Sequence, residues 1–136
     1  MTIFDRTMRL LERTLDLRSG RQRVIASNLA NEETPGYRAS ELTFMDQLQS
    51  AHKGRLPIVL AATQPRHFGI RGAEGVQAVT GKLSEVPAGD IPLDANSVNL
   101  ELEMAKLSEN VMQYNAAATI LSKKFHGLLN AIREGR

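Results

Sequence analysis

The sequence predicts a mainly α, elongated protein: an antiparallel coiled coil of N- and C-terminal helices, with an irregular middle carrying short β-strands. Three observations predict it. Apolar residues recur at alternating intervals of three and four at both ends of the 136-residue chain, which is the spacing of a helix face. All five prolines lie between Pro35 and Pro92, with most of the glycines, so the helix breakers are confined to the middle. Aromatic side chains make up only 4% of a chain that is 42% hydrophobic. Packing then falls to Leu, Ile, Val, Met and Ala, which suit helix seams better than a thick globular centre. The expected units are residues 1–31, 32–98 and 99–136.

The N-terminal unit places Phe4, Met8, Leu11, Leu15, Ile25 and Leu29 on one line. A second line of Ile3, Leu10, Leu17 and Val24 runs beside it at intervals of seven. Gly20 interrupts the pattern at a cost of about 1 kcal/mol relative to Ala, which points to a bend or a close approach there. Pro35 ends the helix: it disfavours α geometry at Thr34, and Pro35-Gly36 promotes a turn. Asn28 and Asn31 are expected to hydrogen-bond backbone at that corner, inside the subunit or across to a neighbour, with Tyr37 anchoring the exit by packing.

The C-terminal unit has the longer pattern. Leu100, Met104, Leu107, Val111, Tyr114, Ala118, Leu121, Phe125, Leu128 and Ile132 follow the spacing of a coiled-coil seam without a break. Asn96, Ser97 and Asn99 are cap candidates. Glu101 and Glu103 near the start, with Lys123, Lys124 and Arg133 near the end, complement the helix dipole. A helix over 99–134 is roughly 50 Å long. The N-terminal helix cannot cover all of it, so neighbouring subunits are expected to share the seam. In the middle, "ELTFMDQLQSA" reads as a short helix with Leu42, Met45 and Leu48 on one face, and residues 56–63 and 76–81 read as short strands.

Chemistry is sparse. The chain has no cysteine, which excludes disulfides, thiolate metal sites and cysteine nucleophiles. His52, His67 and His126 have no ligand spacing, and Glu32-Glu33 are sequence neighbours that do not converge from separate elements. The glycines of "HFGIRGAEG" lack the continuation of a phosphate loop. No catalytic residue, metal site or cofactor is expected, and no small-molecule substrate. A net charge of +2, without a concentrated basic patch, argues against nucleic acid. The arginines of the first helix leave an alternative: an amphipathic helical binding module for membranes or acidic partners. Acids interleaved among them (Asp5, Glu12, Asp16) weigh against it. The N-terminus has no long apolar run and reads as neither a cleaved signal nor a membrane span.

The stretch "ASNLANEETPGYRA" resembles the signature of the flagellar basal-body rod and hook proteins, A-x-N-[IL]-A-N followed by T-P-G-[YF]. Asn28, Leu29, Ala30, Asn31, Thr34, Pro35, Gly36 and Tyr37 fill its places, and Glu33 departs from it. "TQPRHFGI", "DANSVNLELEMAKLSENVMQYNAAATILSKKF" and "LLNAIREGR" extend the likeness over the chain, with Ala95 where that family has glycine. The resemblance implies a structural subunit of the bacterial flagellar proximal rod. It implies N- and C-terminal helices joined in a coiled coil lining a hollow drive shaft. It also implies export through the flagellar type III apparatus without a cleaved signal, and a periplasmic place in the basal body. The partners implied are copies of itself, other rod proteins, and a FliE-like adaptor and membrane ring at the rod base.

Overall fold

A computed structural model of the chain describes residues 5–53, 75–87 and 98–134. The elements are α1 (Arg6–Ala30), β1 (Ser40–Thr43), α2 (Met45–His52), a 3-10 turn (Gly75–Ala78), β2 (Lys82–Glu85) and α3 (Leu100–Glu134). The protein is mainly helical, with long helices near both ends and a small two-stranded sheet.

Helix α1 starts where the Asp5 carboxylate accepts from the backbone N–H of Met8 at 2.7 Å, which satisfies one of the free donors of the first turn. It runs for 25 residues and stops at the turn. Tyr37 N–H donates to Thr34 C=O at 3.2 Å, and Gly36 takes φ +73°. Pro at the second place and a positive-φ glycine at the third define a type II turn. Helix α3 runs for 35 residues. Its cap is Asn99, whose side-chain oxygen accepts from Leu102 N–H at 3.0 Å.

Between the helices sits a small apolar core. Leu17 of α1 meets Phe44, Leu48, Ala51, Val76 and Val79, with Leu10 and Leu42 packed against them. Full burial of such side chains contributes about 1.5–3 kcal/mol each. The line of Leu10 and Leu17 thus faces the middle of the chain. Strands β1 and β2 pair antiparallel, with Leu42 opposite Leu83. Leu42 also explains Gly20. A Cβ on Gly20 would lie 3.3 Å from Leu42 Cδ2, and one on Gly81 would lie 3.1 Å from Leu42 Cδ1. The close approach at Gly20 is to this leucine.

The middle departs from expectation in two places. Residues 76–81 are not a strand: Gly75–Ala78 form a 3-10 turn that drives Val76 and Val79 into the core. The strands are instead 40–43 and 82–85, and Leu42 belongs to a strand while the short helix begins at Met45. Two β-branched valines in a short run bounded by glycines read as a strand, but their spacing of three puts both on one side of a 3-10 turn and on opposite faces of a strand. The expected strand at 56–63 and the cap candidates Asn96 and Ser97 lie outside the described residues, as does Phe4.

Candidate functional site

The corner at the end of α1 is built on one side chain. Asn28, 1% exposed, donates through Nδ2 to Ser40 C=O at 2.8 Å and to Glu103 Oε2 at 2.9 Å. Its Oδ1 accepts from Ser40 N–H at 3.0 Å and from the Tyr37 hydroxyl at 3.2 Å. Two donors and two lone pairs are the whole capacity of an amide. Asn28 therefore pins the end of α1, the start of β1 and the start of α3 at one point. Asn31 bonds locally, donating to Ser27 C=O at 2.8 Å. Leu29 and Tyr37 are half-buried, and Ala30, Thr34, Pro35 and Gly36 are exposed. The motif is thus a buried polar hub beneath an exposed turn.

Helices α1 and α3 run antiparallel, tied by side chains along their length. Beyond Asn28–Glu103, the Asn110 amide nitrogen donates to Arg18 C=O at 2.9 Å, and Lys124 Nζ donates to Asp5 Oδ2 at 2.7 Å. Lys106 adds a second donor to Glu103 at 2.9 Å. Glu103, Asn110 and Lys124 share one lengthwise column at intervals of seven, completed by buried Ala117. Glu103 is 3% and Asn110 1% exposed. Arg18 is also buried, with its guanidinium 5.6 Å from the centre of the Phe44 ring. Burial pushes the Arg18 guanidinium below its ordinary value; Arg21 adds to that and Glu109 opposes it. Arg18 Nη1 and Asn110 Oδ1 are buried without a hydrogen-bond partner.

The sequence-predicted seam is divided by this arrangement. On α1, Met8 and Ile25 are buried, and Leu11 and Leu15 half-buried. On α3, Leu107, Tyr114, Ala118, Leu121 and Leu128 are half-buried. Leu100, Met104, Val111, Phe125 and Ile132 are exposed, Met104 at 51% and Ile132 at 66%. The residues that α3 buries in the chain itself are Glu103, Asn110 and Ala117, one place before the apolar column. Apolar periodicity passes over them because two are polar. Their own seven-residue spacing was the signal that could have found them.

The arginines of α1 are largely engaged within the chain. Arg6 donates to His52 C=O, Arg13 to Val79 C=O, and Arg21 to Glu41, while Arg18 is buried. That leaves little of the basic face a membrane-binding helix would need. No described helix is long and apolar enough to cross a membrane. Among the described residues, no three His, Asp or Glu side chains form a group that could hold a metal ion.

A family model described as "Flagella basal body rod protein" matches residues 8–38, which contain most of α1 and the whole turn. The chain is 30% identical over 135 residues to the flagellar basal body rod protein FlgB of Escherichia coli (strain K12), covering 96% of each. It is 31% identical over 137 residues to the FlgB of Salmonella typhimurium, again covering 96% of each. With the FlgB of Cereibacter sphaeroides it shares 30% over 133 residues, covering 98% of each. The corner that Asn28 organises thus lies within the matched family segment, and the likeness continues through both long helices: the chain belongs to the flagellar basal-body rod proteins of the FlgB kind and is a structural subunit of the basal body, not an enzyme.

Proposed function

We propose that this subunit builds the proximal end of the rod by helix packing, as one brick of a hollow drive shaft. The observation that carries the proposal is the outer column of α3. Met104, Val111, Phe125 and Ile132 are exposed, at the spacing of a coiled-coil seam, along a 35-residue helix. Leu102, Met112 and Ile120 are exposed on other sides of the same helix. A helix apolar around much of its circumference is one that becomes buried, and here neighbouring subunits supply the cover. Residues 1–31 and 99–136 form the inner helical layer in this reading, and 32–98 the outward part. The exposed Thr34-Pro35-Gly36 turn marks the boundary between the two. Partners are other copies, other rod proteins, and the FliE-like adaptor and membrane ring at the rod base. Delivery is through the flagellar type III apparatus.

The test uses Met104→Asp and Ile132→Asp, at two of the more exposed positions of the column, with Glu109→Gln as control. The two aspartate variants alter exposed positions, so the isolated chain keeps its helix content and unfolding midpoint. Rod assembly and swimming are expected to be lost in both and retained in the control. Normal swimming by both aspartate variants would overturn the assembly seam.

A further inference from the structure

Helix α3 offers two columns to α1, and the chain uses the less apolar one. The column at 103, 110 and 117 faces inward, while the column one residue later is exposed at Met104 and Val111 and half-buried at Ala118. The two are related by a rotation of about 100° around the helix axis. Apolar burial alone favours the outward column, which replaces Glu103 and Asn110 by Met104 and Val111. What opposes that rotation lies on α1. Arg18 and Asn28 are buried on it, and Asp5 stands at its start. Asn28 finds the Glu103 carboxylate, the Arg18 carbonyl finds the Asn110 amide, and Asp5 finds Lys124. Rotation would put Met104 where the Glu103 carboxylate meets Asn28, and a buried amide donor without a partner is costly. The Arg18 carbonyl, inside the hydrogen-bond ladder of α1, and the exposed Asp5 each lose one added contact. The Arg18 rung is itself imperfect, since Arg18 Nη1 and Asn110 Oδ1 stay unpartnered. Such a rung selects one geometry better than it stabilises the pair.

We propose that these polar groups are a rotational key: they hold α3 so that α1 cannot cover the chain's own outer apolar column. The key keeps that column free for a neighbour, and only this last clause rests on the assembly reading above.

The chain has no cysteine, so single introduced thiols report on the rotation. In the parent background, the thiol of Val111→Cys reacts fast with a maleimide and that of Ala117→Cys slowly. Asn110→Lys sets a second cation on the column facing Arg18, and the two reactivities are expected to exchange. The thiol at 111 slows by about tenfold or more, because it then reacts only through local opening, and the thiol at 117 accelerates by a similar factor. Asn28→Met removes the α1 partner of Glu103 without adding a charge and gives the same exchange at smaller amplitude. The exchange in either variant supports the key. Two thiols that both become fast in both variants show undocking instead of rotation and overturn it, as do two that stay unchanged. The result is read on the isolated chain, so loss of the assembly reading through Ile132→Asp leaves this test standing.

Discussion

Asn28 has no spare hydrogen-bonding capacity, and that sets the cost of losing it. Asn28→Ala leaves the Ser40 N–H and C=O without their partner and takes a donor from a buried carboxylate. Each orphaned buried group costs about 1–3 kcal/mol, so the variant is expected to lose about 3 kcal/mol or more in denaturant unfolding. Asp5 works differently, on the surface. Its carboxylate is held below the usual value of 3.8, first by the hydrogen bond from Lys124 and then by the Met8 N–H. A carboxyl with a lowered folded pKa contributes stability that is complete above its unfolded value and is lost as pH falls through the folded one. The tie between the start of α1 and Lys124 is therefore expected to loosen below about pH 3.8. Comparing Asp5→Asn with the parent by acid titration of helix content checks it: the variant lacks that part of the acid transition. A parent curve matching the variant's would assign the tie no weight.

At the scale of elements, the middle of the chain is organised around Leu42. Two glycines stand against it, Gly20 in α1 and Gly81 at φ +77° just before β2. Gly81→Ala forces a side chain into the left-handed region and brings its Cβ to 3.1 Å from Leu42 Cδ1. A strained residue of that kind costs about 1–3 kcal/mol, which a lowered thermal midpoint would show. Gly20 is less severe, because its φ is helical and only the contact at 3.3 Å resists a methyl. The same region shows where sequence reading was strong and where it failed. Both long helices were legible because their apolar spacing is sustained, and Pro35 and Asn99 mark an end of each; the Asp5 cap was read only from the structure. The 3-10 turn at Gly75–Ala78 was not, since four residues hold too little pattern to separate one period from another. The pairing of β1 with β2 joins residues about forty positions apart, from Thr43 with Lys82 to Ser40 with Glu85, and no local signal carries that.

Across the whole molecule, the corner was legible and the seam only half so. Residues 28–37 announce a stop, and the backbone bonds expected of Asn28 and Asn31 are present. The carboxylate from α3 at the same corner was invisible, because Glu103 reads as an ordinary acidic residue of a first helical turn. The face that α3 turns to α1 could not be read from apolar periodicity, since polar partners on α1 choose it. The same ties also have a temporal meaning. They join residues 75 and 119 positions apart in the chain, at Asn28–Glu103 and Asp5–Lys124, whereas Phe44 reaches Leu17 across far fewer. Contacts so distant form only after the entropy of closing a long loop has been overcome. A chain that emerges N-terminus first must therefore carry α1 for most of its length with one flank unclad, its small core already able to gather before the closing helix arrives.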